Sequence, residues 1–178
     1  MALLAEEIVE EWLNRQGYFT IRGIKMGVHE IDLLAIKYLS DGQAECRHIE
    51  VQASMRPVSY ISRVPKEDQK SGRAANSAKR TDDELVRGVS EWVKKKFHRP
   101  DKKALMAKLW KGQWSSELVV NVVKSDHELG LIKSHNIKIH RLSDIILSLS
   151  TEKFVIGSAS GADIVDLIHM GSAEQRSG

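Results

Sequence analysis

The chain has 178 residues, of which 42% are hydrophobic and 29% are charged, with three prolines and one cysteine. This length and composition predict one folded domain with a full core and exclude a fibrous or disordered chain. No apolar run approaches the roughly 18 residues of a membrane span, and the first residues lack the pattern of a secretory signal. Cys46 alone can form neither an internal disulfide nor a thiolate zinc cluster, and we therefore expect a cytoplasmic protein.

The net charge is only +3, but it is unevenly distributed. Residues 55–111 contain 16 Lys and Arg against 7 Asp and Glu, whereas the remainder contains 11 against 17. This asymmetry indicates a basic surface for a polyanion beside an acidic cluster. Alternatively, the densest basic run, "KKKFHRPDKK", is only a solvated helix end and loop.

The first elements in chain order are a helix and three strands. Apolar side chains recur with helical spacing over residues 3–16, and Gly17 ends the helix. One strand is expected over residues 18–25, and two more within residues 29–54, joined by a hairpin turn at 40–43. Beyond them, a basic stretch to residue 80 has no convincing period and is interpreted as a flexible loop or a weakly amphipathic helix.

Strands and helices alternate through the rest of the domain. A capping box formed by Thr81 and Glu84 opens the first of these helices. The expected elements are a helix to about residue 97, a helix over 104–110, a strand over 116–123, a helix from Asp126 to His135, a strand over 137–142, and a helix from Ser143 or Asp144 to about 150. This order predicts an α/β fold with a mixed central sheet flanked by helices, antiparallel at its first hairpin and parallel in the later β-α-β unit.

These elements place the domain at residues 1–150. Residues 151–178 are expected to form a C-terminal appendix with one short helix, from Ala162 to Met170, and a disordered tail.

Two carboxylates lie inside strands, where charged groups are rare. Asp32 and Glu50 are expected at similar depths on neighbouring strands, with Glu50 and Gln52 on one face. Glu6, at the margin of the first helix's apolar stripe, can reach alongside. Uncompensated carboxylates repel one another, and a divalent cation removes that conflict; oxygen ligands suit Mg²⁺ or Mn²⁺. Alternatively, the acids lie at strand ends in solvent, paired with Arg or Lys. His48 is on the same strand face as Glu50, and it either contacts the site or only forms a hydrogen bond.

The helix with Glu6, then "EID" with Asp32 and "IEVQ" with Glu50 and Gln52, resembles the PD-(D/E)XK nuclease superfamily of restriction endonucleases and archaeal Holliday-junction resolvases. The resemblance covers residues 3–54 at the level of motifs. It implies a restriction-endonuclease-like fold and a phosphodiesterase dependent on Mg²⁺ or Mn²⁺, which we expect to be a DNA endonuclease. Glu6 would bind or steer a second metal or its water shell.

The resemblance also implies roles for the other site residues. Asp32 and Glu50 would hold the metal, with the backbone carbonyl of Val51 as a further ligand. Gln52 stands where the family has a lysine and would position the attacking water, and Lys25 is the candidate for the missing ammonium group. Because an amide cannot stabilise negative charge as an ammonium does, the alternative is a catalytically inactive module that binds nucleic acid or a protein partner.

Basic residues that follow the third strand are expected to bind nucleic-acid phosphates beside the site. They are Arg56, Arg63, Lys66, Lys70, Arg73, Lys79 and Arg80. Trp110 and Trp114, near Lys108 and Lys111, are interpreted as a stacking surface or, alternatively, as rings that anchor a loop. A homodimer with contacts from residues 144–170 would supply the two cuts that a duplex needs.

Overall fold

The structure is a computed structural model that describes residues 2–54 and 56–174. Its helices and strands are α1 (Ala2–Arg15), β1 (Phe19–Met26), β2 (His29–Tyr38), β3 (Ala44–Gln52), α2 (Lys66–Lys70), α3 (Asp82–Lys96), α4 (Pro100–Leu109), β4 (Trp114–Val120), α5 (Asp126–Ser134), β5 (Ile137–Arg141), α6 (Leu142–Thr151) and α7 (Ala162–Glu174). No helix within these ranges is both long and apolar enough to cross a membrane.

The strands form one mixed sheet in the order β1-β2-β3-β4-β5. The first three pair antiparallel, as tight turns between neighbouring strands require. β4 and β5 pair parallel with the strands before them, because helical crossovers connect each pair: α2, α3 and α4 lie between β3 and β4, and α5 lies between β4 and β5. The predicted α/β class with a mixed, helix-flanked sheet is therefore confirmed.

Helices cover both faces of the sheet, and each face has its own apolar core. α1, α6 and α7 cover one face, where Leu13 and Ile145 pack in the same cluster as Leu33 of β2. α3 and α5 cover the other, where Val89 packs in the same cluster as Leu118 of β4. This two-sided burial explains why the central strands are apolar on both faces.

The segment between β3 and α3 is irregular apart from the short α2. It is held by polar contacts: the Glu128 carboxylate accepts hydrogen bonds from the Ile61 N–H at 2.7 Å, the Ser62 N–H at 2.9 Å and the Ser62 hydroxyl at 2.6 Å. Arg80 adds a cation–π contact over the Tyr60 ring, 4.3 Å from its centroid. Side-chain hydrogen bonds rather than an apolar stripe order this segment, so its sequence has no period.

Several element ends differ from the expected positions. The Thr81–Glu84 capping box is confirmed, but α5 is capped by Ser125, whose hydroxyl accepts the Glu128 N–H, and not by Asp126. α4 begins at Pro100, four residues earlier than expected, because proline fits the first turn of a helix.

The C-terminal appendix packs against α1. The Glu11 carboxylate accepts the N–H groups of Ala159 and Gly161, both at 2.9 Å, and Val165 of α7 is buried in the core beside α1. α7 extends beyond Met170 to Glu174, so the disordered tail expected after Met170 is wrong for residues 171–174, and the rest of that tail lies outside the described residues. The predicted homodimer contact from residues 144–170 stays a prediction.

Candidate functional site

Asp32 and Glu50 meet at the point where β2 and β3 adjoin. The register pairs Leu33 with Ile49, so one step further brings Asp32 beside Glu50. The Val51 N–H donates to Asp32 Oδ2 at 2.7 Å. Because Asp32 is only 7% exposed and Glu50 is fully buried, the alternative that these acids lie in solvent is wrong, although the pairing with lysine that it expected holds for Glu50.

Three cationic or donor groups surround the Glu50 carboxylate. Oε1 accepts from Lys102 Nζ at 2.5 Å and lies 3.0 Å from His48 Nε2, while Oε2 accepts from Lys96 Nζ at 2.6 Å. Burial alone would raise the pKa of Glu50, but His48, Lys96 and Lys102 outweigh it and lower the pKa to about 2. Glu50 therefore stays ionised throughout the physiological range.

The pKa of Asp32 is shifted in the opposite direction to that of Glu50. Burial, followed by the charges of Glu50 and Glu6, raises the pKa of Asp32 to about 7, although Lys96 and the Val51 N–H oppose the shift. Glu6 on α1 is also buried, and its own pKa is raised by burial and by Glu30. Glu6 and Asp32 therefore lie within electrostatic reach of each other, and burial together with like charge disfavours the ionised form of both carboxyl groups.

Two other buried glutamates have carboxylates whose negative charge is compensated by neighbouring hydrogen-bond donors. Burial raises the pKa of Glu117, but hydrogen bonds to His140 at 2.6 Å and Arg47 outweigh it and lower the pKa to about 2. Glu128 is saturated by hydrogen bonds from the segment between β3 and α3. Asp32, like Glu6, is an acid whose charge the surrounding residues leave undercompensated.

The ammonium groups at the site come from α3 and α4. Lys25, the candidate for the missing lysine, pairs with Glu30 at 2.6 Å in an exposed position, and its catalytic role stays a prediction. Lys96 is the last residue of α3, and Glu50 and Asp32 raise its pKa although burial opposes them. Lys102 is almost wholly buried and also donates to the Lys96 carbonyl at 2.9 Å.

A sequence signal for both lysines exists but is easily overlooked. Lys96 follows Trp92 and Val93 by four and three positions, so it continues the apolar stripe of α3. Lys102 precedes Met106 by four positions and shares its stripe on α4. A lysine on an apolar stripe either extends its ammonium group to solvent or pairs with a buried acid, because an unpaired buried ammonium is not tolerated.

His48, Val51 and Gln52 complete the neighbourhood of the acids. His48 is 1% exposed, and it contacts the site through its hydrogen bond with Glu50. Val51 supplies its N–H to Asp32, while its side chain packs in the core beside α1. Gln52 ends β3 and is half-buried, and no hydrogen bond of its side chain is found within the described part of the chain.

Two of the seven basic residues expected to bind nucleic acid pair within the protein, and for the other five nucleic-acid binding stays a prediction. Arg73 is bound to Glu84 at 2.7 Å, and Arg80 donates to the Ser62 carbonyl at 2.9 Å, so both stabilise the fold. The other five are exposed and form no ion pair with any described residue: Arg56, Arg63, Lys66, Lys70 and Lys79.

The donor set suits a divalent cation that binds one or two carboxylates and keeps several of its waters. Within residues 2–54 and 56–174, no three His, Cys, Asp or Glu side chains are grouped to hold a metal. Mg²⁺, however, usually keeps several waters and needs only one or two carboxylates. Asp32 supplies undercompensated charge, and Glu50 Oε2 has a second lone pair beside its bond to Lys96.

Comparisons with known proteins add little. No family model matches the chain, and neither does any curated protein. Among solved structures the chain is similar to one described as "Protein of Unknown Function AF1548", with a TM-score of 0.43 and 15% sequence identity. The match covers 80% of this chain and 59% of that protein, so the chain spans less than two thirds of its length. A likeness at this level carries no argument about function.

Proposed function

We propose that this chain is a nuclease dependent on Mg²⁺ or Mn²⁺ and built on the restriction-endonuclease-like plan of the PD-(D/E)XK superfamily. The observation that carries the proposal is the buried pair of Asp32 and Glu50 on adjacent strands, with Lys96 bound to Glu50. A buried acid with a pKa near 7 is costly to the fold, and such groups cluster at functional sites.

Asp32 and Glu50 would hold the cation, with the Val51 carbonyl as a further ligand. When bound, Mg²⁺ supplies a polarised water and neutralises charge on the scissile phosphate. Glu6, whose charge raises the pKa of Asp32, would order the surrounding waters. Gln52, two residues beyond Glu50 on the same strand, would orient the attacking water.

Lys96 takes the role of the lysine that Gln52 replaces. Its ammonium lies 2.6 Å from Glu50 Oε2, and the charge of Asp32 also acts on it. A charged donor in a partly buried setting stabilises the negative charge that develops on a phosphate during attack. Lys102 is a positioning residue, because its ammonium is enclosed between Glu50 and the Lys96 carbonyl.

A second candidate is an inactive nuclease-fold module that binds nucleic acid or a protein partner. The saturation of Glu50 by Lys96, Lys102 and His48 favours it, since no ligand is then needed to neutralise that carboxylate. The undercompensated charge of Asp32 argues for the enzyme, because a fold with no use for a cation would gain stability by losing it.

Cleavage assays separate the two candidates. Supercoiled plasmid, branched DNA and RNA are incubated with Mg²⁺, Mn²⁺ or EDTA and with wild type, Asp32→Asn, Lys96→Ala or the exposed control Asp163→Asn. If the chain is an enzyme, wild type and the control cleave in a metal-dependent way. Lys96→Ala cleaves at least about 100-fold more slowly, and Asp32→Asn shows no cleavage. Absence of cleavage on every substrate with either metal would favour the inactive module.

DNA is proposed as the substrate, and the RNA arm tests that choice. We also propose a cytoplasmic location, because Cys46 is buried and unpaired, as is usual in a reducing compartment.

A further inference from the structure

A second basic feature lies away from the acids, in a cleft of about 690 Å³ between α4 and the starts of β4 and β5. Lys103 of α4, Lys111 of the following loop, Lys133 of α5 and Lys138 of β5 all line it, and it is named the lysine cleft below. No Asp or Glu is found among its described lining residues. The four lysines are exposed, and within the described chain none of their ammonium groups forms an ion pair.

The lysines of the cleft have no acidic neighbour among its described lining residues, whereas two arginines of the preceding segment are paired. Arg99 binds Asp101 at 2.6 Å, and Arg87 binds Asp83 at 2.8 Å. In the cleft, burial lowers the pKa of His98, and Lys103 and His135 lower it further. Like charges brought together without a counter-charge repel, so a bound anion would stabilise this arrangement.

Two tryptophans form a fixed aromatic wall of the lysine cleft. Trp110 packs so closely on Gly112 that a Cβ there would lie 2.8 Å from the indole ring, and the edge of Tyr38 contacts it with centroids 5.5 Å apart. Trp114 donates its indole N–H to the Trp110 carbonyl at 3.3 Å. Rings held in this way bind a flat ligand with little further loss of conformational entropy.

The lysine cleft is separate from the candidate metal site. It lies where the parallel strands begin, and His48 is paired with Ser116 there, whereas Glu50 and Gln52 lie further along β3 beside Leu118 and Val120. His48 lies between the two features, with Nε2 on Glu50 and a buried Nδ1 that has no partner among the described residues. His48, a lining residue of the cleft, therefore has a buried ring nitrogen whose capacity for a hydrogen bond is unused among the described residues.

We propose that the lysine cleft binds a nucleoside phosphate, with its phosphate on the lysines and its base against Trp110 and Trp114. A phosphate alone would use the charge but leave the aromatic wall unused, and an aromatic ligand alone would leave the lysines uncompensated. The ligand is either a free nucleotide or one unit of a nucleic-acid strand, since both present the same chemistry. The inference does not depend on cleavage at Asp32.

The test is calorimetric titration of the whole chain in EDTA, where metal-dependent cleavage is absent. The probes are inorganic phosphate, thymidine 5′-monophosphate and a short oligothymidylate, and tryptophan emission is followed in parallel. The charge-reversed variant Lys103→Glu/Lys138→Glu is compared with Lys124→Glu/Lys153→Glu, whose side chains are exposed outside the cleft.

We expect nucleotide binding that quenches tryptophan emission, is at least about tenfold weaker in the cleft variant, and changes by less than about twofold in the control. Equal affinity for the mononucleotide and the oligonucleotide identifies a free nucleotide, whereas much tighter binding of the oligonucleotide identifies a strand. Either result supports the proposal. Phosphate binding as tight as nucleotide binding, equal weakening in both variants, or no binding of any probe would overturn it. Because the titration contains no metal, these outcomes are independent of the cleavage assays.

Discussion

Replacing Asp32 by asparagine is expected to stabilise the protein, which is the reverse of what loss of a buried polar side chain usually does. The side chain is 7% exposed, and its pKa is about 7 in the folded state against an ordinary 3.8. A group whose folded-state pKa is raised costs stability when it ionises, so the cost grows as pH rises above 3.8 and is complete above about 7. Asparagine keeps an oxygen for the Val51 N–H and removes the charge.

The size of the effect follows from the pKa difference. Each pKa unit corresponds to about 1.4 kcal/mol, so the full cost of ionised Asp32 is at most about 4 kcal/mol. Burial of the amide offsets part of this gain, and we expect Asp32→Asn to be more stable by at least about 1 kcal/mol at pH 8.5. For a domain of this size, that is a rise in Tm of about 2–4 °C.

The assay is urea and thermal unfolding in EDTA at pH 8.5 and pH 5, with Glu117→Gln as the matched control. The advantage of Asp32→Asn should shrink at pH 5, where the folded wild type already holds the proton. Glu117 has a pKa of about 2 because Arg47 and His140 compensate it, so its amide variant should be less stable at pH 8.5 by about 3 kcal/mol or more. A destabilised Asp32→Asn, or a gain of equal size at both pH values, would refute the reasoning.

Two further predictions concern the scaffold. Gly88→Ala should lower the free energy of unfolding by about 1–3 kcal/mol, because a Cβ there would lie 2.5 Å from the Arg63 carbonyl oxygen. Gly130→Ala, with open space around it, should raise that free energy by up to about 1 kcal/mol. Urea unfolding of both variants tests this, and equal effects would contradict it. Glu11→Ala removes the acceptor of two backbone N–H groups before α7 and should cost about 2–3 kcal/mol. Limited proteolysis should then cut between α6 and α7, and an unchanged digestion pattern would show that Glu11 does not hold that segment.

The sequence predicted the acids of the site because their signal is local. Alternation along a strand and a short hairpin were enough to place Asp32 beside Glu50, since register is fixed once a turn and an apolar face are known. The same reasoning could not find Lys96 and Lys102, because their partner is 46 and 52 residues away in the chain. Helical periodicity marks their positions as apolar and gives no sign of which strand they meet.

Long-range polar contacts explain the other differences. The segment between β3 and α3 looked irregular because its order depends on Glu128, which bonds to Ile61 and Ser62 more than 60 residues earlier. Arg73 and Arg80, expected on a nucleic-acid surface, instead pair within the protein. A count of charges along the chain gives the total charge of a region, whereas the choice between an internal partner and a ligand depends on tertiary packing.

Binding of Mn²⁺ to the whole chain tests the central claim most directly, because it asks whether the acids hold a cation without requiring the right substrate. Titration followed by calorimetry and by the paramagnetic resonance of free Mn²⁺ should show binding to wild type and to Asp163→Asn, with none at this site in Asp32→Asn. Undiminished binding in Asp32→Asn, or no binding in wild type, would contradict the assignment of Asp32 and Glu50 to a metal centre.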